Sequence, residues 1–183
     1  MADKNLKPPS GQRLPTGEQS RPAMTRGERN QDAIKLLKAD HREVADLVEE
    51  FSEADRDDKA RIAQQICSAL TVHAQIEEEI LYPEAREALD EEDRDLVNEA
   101  DVEHATIKRL VAEVEESSPE DEHFDARVTV IGEYVKHHVK EEEKELFPKL
   151  RESELDLDEL GARLAARKAE LSSQLEEERP ARH

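Results

Sequence analysis

From about residue 31 onward, apolar side chains recur at alternating steps of three and four, which gathers them on one face of successive α-helices. The pattern predicts five helices, at roughly 31–54, 58–88, 92–117, 122–152 and 156–177. The polar runs at Asp55 to Asp58 and Asp90 to Asp93, and Ser117, Ser118 and Pro119, supply the breaks. Such short side chains compete for backbone hydrogen bonds, and proline cannot continue a helix. Pro83 and Pro148 fall late in the second and fourth helices, where a kink or an early end is expected. Long helices with short connections pack as antiparallel neighbours. The expected fold class is therefore all-α: an up-down-up-down four-helix bundle over 31–152, with an additional C-terminal helix in 153–183 packed outside it or against one end. Residues 1–30, rich in Pro, Gly and polar side chains without periodicity, read as a disordered N-terminal tail.

Each apolar seam is interrupted by a histidine. The first runs Ile34, Leu37, His41, Val44, Val48, Phe51, and the second Ile62, Ile66, Ala69, His73, Ile76, Ile80 with Glu77 beside it. The third gives Val97, Ala100, His104, Ile107, Val111, Val114, and the fourth Phe124, Val128, Ile131, Val135, His138, Glu142. Counted from the connections they share, these histidines lie roughly 14 to 18 residues along their helices, so at about 1.5 Å per residue they fall in one layer. Residues four apart are near neighbours on a helix, which puts Glu77 with His73 and Glu142 with His138.

Four imidazoles and two carboxylates then point into one cavity. Buried without compensation they would cost several kcal/mol, and a bound metal removes that cost by taking up the inward lone pairs. Six ligands exceed one tetrahedral zinc, and carboxylates on two helices can each bridge two ions, so the expectation is a dinuclear site of iron or manganese.

Composition narrows the remaining choices. Charged residues make up 40% of the 183 and aromatics 3%, with no Trp, a profile of long helices. The formal net charge of -20 argues against nucleic acid as a partner, because phosphate binding depends on clustered Lys and Arg. The tail is the exception, with six basic and three acidic residues among its thirty. Cys67 is the single cysteine and sits in an apolar helical stretch, where it reads as a small buried hydrophobe. No apolar run approaches a membrane span and no signal-peptide core is visible, so a cytoplasmic location without membrane association is expected.

The motifs recur. ADHREVADLVEEF and HAQIEEEILYP are followed by VEHATIKRLVAEV and HVKEEEKELFP, offset by 63 residues from His41 to His104 and by 65 from His73 to His138. A duplicated helical hairpin is the natural reading. At these residues, over about 31–150, the chain resembles the hemerythrin-like proteins with HHE cation-binding repeats, and LDLDELGARLAARKAEL is similar to the helix that often follows such domains. The resemblance implies an oxo- and carboxylate-bridged centre of two iron ions, with Glu77 and Glu142 bridging and His41, His73, His104 and His138 as terminal ligands. It also implies a protein that binds or senses a small oxidant or gas (oxygen, nitric oxide or peroxide) in stress response or iron handling, as a monomer or weak homodimer. The oxygen carriers of that family have a fifth histidine one turn after the first histidine of the third helix. Here the position is Lys108, no equivalent ligand while protonated, which argues against reversible oxygen carriage.

The missing ligand leaves a coordination position open unless another protein oxygen fills it. Tyr134 and Glu103 lie near enough along the chain to be weighed for that role, with packing and surface exposure as their ordinary explanations. Glu78, Glu79, Glu141 and Glu143 read as solvated members of acidic runs, and His123, His137 and His183 lie off the seam or at the end. Three classes of function stand: a sensor or iron store, a di-iron enzyme that decomposes hydrogen peroxide in a catalase-like way, and a helical stress protein without chemistry.

Overall fold

The computed structural model describes residues 32–178, and everything described is helix or short connection. Helices α1 (Ala33–Glu53), α2 (Arg56–Ile76), α3 (Tyr82–Ala88), α4 (Arg94–Glu115), α5 (Phe124–Glu141), α6 (Phe147–Glu152) and α7 (Leu157–Glu178) follow in order. The π-helical turns Glu77–Leu81 and Glu142–Leu146 weld α2 to α3 and α5 to α6. The rods α1, α2–α3, α4 and α5–α6 form the expected four-helix bundle. The N-terminal stretch 1–30 and His183 lie outside the described residues.

Local chemistry sets the boundaries. Asp32 caps α1, its carboxylate accepting the Lys35 N–H at 2.8 Å and so satisfying one of the unpaired donors of the first turn. The connection to α2 is only Ala54 and Asp55, and the expected break there is shorter than the polar run suggests. Pro83 and Pro148 do not end their helices. Each follows a π turn and sits in the first turn of the next α segment, where a missing N–H is tolerated.

The π turn also corrects the predicted seam. It inserts one extra residue, so the buried face passes to Leu81, Tyr82 and Ala85 while Ile80 is only partly covered. Upstream, Ala69 and Val48 are also half-buried, and Cys67 and Leu70 carry the core instead. Cys67 is 1% exposed, as its apolar setting suggested, and burial followed by the nearby Glu115 charge pushes its thiol up to about 12.

The apolar interior has two parts. One contains Leu37, Val72, Ile76, Leu81, Ala100 and Phe147; the other contains Val44, Ile66, Leu70, Ile107, Ile131 and Val135. His41 lies between Leu37 and Val44, His73 between Leu70 and Ile76, and His104 between Ala100 and Ile107, so a polar layer separates the halves. Close approach of α5 to α1 depends on Gly132, where a Cβ would lie 2.7 Å from Val48 Cγ1.

Helix α7 covers α1 and α2. Leu160, Leu164 and Leu171 are buried against the first part of the core. Arg163 bonds Glu84, Arg167 bonds Glu79, and Lys168 reaches Asp40 at 2.6 Å. Among the described residues no helix is long and apolar enough to cross a membrane.

Candidate metal centre

All six sequence-predicted ligands meet in the polar layer, each at most 5% exposed. His41, His73, Glu77 and Glu142 each offer one atom within 4.8 Å of the others, and Glu77, His104 and His138 form a second such group. The two groups share Glu77. Glu77 Oε2 lies 3.2 Å from His73 Nε2 and 3.4 Å from His104 Nε2, while Glu142 Oε2 lies 3.2 Å from His41 Nε2 and 3.6 Å from His138 Nε2. Thus each carboxylate faces one histidine from each half of the bundle.

These short distances are not satisfied hydrogen bonds. Nε2 of His41 and of His73, both oxygens of Glu77 and Glu142 Oε2 are buried without a hydrogen-bond partner. Orphaned buried acceptors of this kind are rare and expensive. Imidazole and carboxylate converging on two overlapping positions is a donor set that fits a pair of iron or manganese ions.

The rear nitrogens explain how the rings are aimed. His41 Nδ1 lies 3.1 Å from Glu143 Oε1, His104 Nδ1 3.2 Å from Glu78 Oε1, and His138 Nδ1 2.8 Å from Glu103 Oε2. His73 Nδ1 has Asp40 Oδ2 at 3.7 Å, a looser pairing, and Lys168 holds the other oxygen of that carboxylate. A carboxylate behind the ring keeps the proton on Nδ1 and turns the Nε2 lone pair inward. Glu78 and Glu143, expected to be solvated, therefore have a positioning role. Glu103, weighed as a ligand, is occupied by the imidazoles of His138 and His137, and Tyr134 is 45% exposed on the surface.

Tyr82 was not singled out from sequence. Its side chain is fully buried, and its hydroxyl donates to Glu142 Oε1 at 3.0 Å and lies 3.3 Å from His104 Nε2. In an uninterrupted α-helix, a residue five positions after Glu77 would face about 140° away from it. The π turn, in which the Tyr82 N–H donates to the Glu77 carbonyl, brings the two onto one face. The signal was present in the shared aromatic offset of the repeats: Phe147 holds the matching place and stacks on His41, centroids 5.8 Å apart. Lys108 extends away from the centre to Glu78, 2.7 Å distant.

Burial and mutual charge split the two carboxylates. Burial, then the Glu142 charge, raises Glu77 well above the usual range. Burial acts in the same direction on Glu142, but His138 and His41 outweigh it and bring it down to about 2. His104 is lowered to about 3, by burial first and by His138 second. His138 is raised because Glu142 and Glu103 overcome its burial. Tyr82 stays protonated, raised by burial and by the charges of Glu142 and Glu77. On the side away from Tyr82, the four histidines with Val44, Leu70, Ile107 and Val135 line a cavity of about 10 Å³.

Residues 32–150 match the hemerythrin HHE cation binding domain family. A DNA nickase of Nostoc sp. is 34% identical over 134 residues, covering 70% of this chain, and the chain spans 37% of that relative's length. The crystal structure of a hemerythrin HHE cation binding domain-containing protein from Mycobacterium kansasii superposes with a TM-score of 0.66 at 21% identity, covering 78% of this chain and 88% of that one.

Proposed function

Because the chain belongs to the hemerythrin HHE cation-binding domain family, we propose that its buried layer holds two iron ions and that the centre binds or senses a small oxidant or gas. The observation that carries this reading is the pair of ligand groups sharing Glu77, in which Nε2 of His41 and of His73, both oxygens of Glu77 and Glu142 Oε2 are buried without a hydrogen-bond partner. His41, His73, Glu77 and Glu142 would hold one ion, and Glu77, His104 and His138 the other. Bound iron supplies open coordination positions and redox capacity at these places. The protein's part is to aim the imidazoles through Glu143, Asp40, Glu78 and Glu103, to exclude bulk water with Ile76, Ile107 and Ile131, and to leave a cavity small enough for oxygen, nitric oxide or peroxide.

DNA is outside this reading. The name of the Nostoc relative belongs to a longer protein, of which this chain spans 37%, and the formal net charge of -20 runs against the clustered Lys and Arg on which phosphate binding depends. A peroxide-decomposing enzyme is the second reading, favoured by Tyr82: its protonated hydroxyl, beside His104 and Glu142, could hold a proton at the centre.

The deciding experiment measures metal content and visible absorption of protein expressed with ample iron, before and after adding peroxide. About two irons per chain with charge-transfer bands is the expected outcome. A folded protein that takes up no iron would overturn both readings. Sustained peroxide loss favours the enzyme, whereas a single stoichiometric spectral change favours the sensor.

A further inference from the structure

Outside the buried layer, His137 stands over a second group of ligand atoms. Its Nε2 lies 3.2 Å from Glu141 Oε1 and 3.4 Å from Glu103 Oε1, and one atom from each residue falls within 4.8 Å of the rest. Unlike the inner ligands, this group faces solvent, with the His137 side chain 59% exposed. It forms part of a groove between α4 and α5 that is also lined by Asp95 and Glu99. Behind the groove, Glu99, Glu103 and Glu141 line a second gap of about 10 Å³ whose far wall is His138 and Glu142. Glu142 Oε2, on a residue 2% exposed, has no hydrogen-bond partner. Glu99, Glu103 and Glu141 thus stand between the surface groove and an inner ligand, with Leu96, Ala100 and Leu146 as the apolar walls of the gap. Glu103 is the hinge of the series, with Oε1 toward His137 and Oε2 on His138 Nδ1.

We propose that His137, Glu103 and Glu141 form an outer divalent-cation site that captures the metal from solvent and delivers it, past Glu103, to Glu142 in the buried centre. The site rests on the dinuclear reading for its destination but uses His137 and Glu141, which that reading leaves idle. Its chemistry is that of a capture site: one imidazole and two carboxylates bind a hydrated divalent ion while leaving most of its water in place, so the ion is held weakly enough to move on. The acidic groove raises the local cation concentration.

The test uses the full chain, freed of metal, and the variant His137→Ala/Glu141→Gln, which leaves all six inner ligands intact. Anaerobic uptake of ferrous iron, followed by stopped flow, should slow about tenfold in the variant while the final iron content and spectrum match the wild type. Manganese(II) titration followed by electron paramagnetic resonance should show one weak equivalent beyond the inner pair, absent in the variant. Unchanged uptake rate and unchanged manganese titration in the variant would overturn the outer site. A wild type whose endpoint lacks the inner pair removes the destination and overturns delivery along with the dinuclear reading, and the endpoint identifies that case separately from the rate.

Discussion

The two hairpins carry the same motif but surround their halves of the centre differently. After Glu77 the π turn presents Tyr82, whose hydroxyl reaches across to Glu142 and His104; after Glu142 the same turn presents Phe147, which offers only a ring face to His41. Behind the imidazoles, His138 is held tightly by Glu103 at 2.8 Å, whereas His73 has Asp40 at 3.7 Å and Asp40 is drawn toward Lys168 of α7. The backbone is thus nearly symmetric and the chemistry is not. The repeated motif supplies matched histidines and glutamates, and the side chains one step further out make their surroundings unequal.

The largest expected effect breaks the symmetric part. Glu77 belongs to both ligand groups, so Glu77→Ala should reduce iron content from about two per chain to nearly none, whereas His138→Ala should retain about one. Equal loss in the two variants, by elemental analysis, would show that the halves do not share Glu77.

The outer carboxylates sharpen the comparison. Loss of such a partner typically lowers metal affinity by about 10- to 100-fold. Glu103→Gln should fall near the upper end and Asp40→Asn near the lower, because the Asp40 contact is already long. Competition with a chelator reads the difference, and the reverse ranking would remove distance as its cause.

Tyr82→Phe makes the first hairpin resemble the second. It leaves Glu142 Oε1 without its donor, at an expected cost of about 1–3 kcal/mol in the metal-free protein, measurable by denaturant unfolding. The reciprocal Phe147→Tyr keeps a ring to stack on His41 and should gain nothing comparable.

The last effect lies in pH, where two neighbouring imidazoles act in opposite directions. The His104 value of about 3 in the folded, metal-free protein lies below the ordinary 6.5, so the unfolded chain takes up that proton first. Its contribution to stability therefore falls as pH drops from about 6.5 toward about 3. His138, raised in the folded state, contributes in the opposite sense: its stabilisation is present below the ordinary value and lost as pH rises above it. Ring-proton titration by nuclear magnetic resonance should find His138 above and His104 below the usual histidine range, and coincident titration would contradict the split. His104→Gln should flatten the acid-side slope.

Most of the bundle was legible because a repeat of 3.6 residues per turn leaves its mark on every seam, and histidine at one level of four seams is a coincidence that polar burial penalises. The helix cores and the convergence of His41, His73, Glu77, His104, His138 and Glu142 follow from that alone. Tyr82 did not, because its face depends on a π turn, and EEEIL and EEKEL carry no periodicity that separates π from α. The roles of Glu78 and Glu143 were hidden for another reason. Each reaches a histidine on a different rod, and contacts between helices are not written in the periodicity of either one. The same holds for α7: its apolar stripe was readable, its choice of α1 and α2 as neighbours was not.

The π turns have a consequence for how the chain tolerates change in length. Each helix carries one residue more between its glutamate and its aromatic than an α-helix would need, so a single deletion within Glu78–Leu81 would let the turn close as α with the tyrosine four places after Glu77 and still on its face, whereas one further inserted residue would rotate everything downstream by about 100°. Substitution of the exposed Glu79 leaves that count intact. Between the buried polar layer and Pro83, loss of one residue is thus better absorbed than gain of one, and a lengthened chain would keep its helix while turning Tyr82 away from its partners.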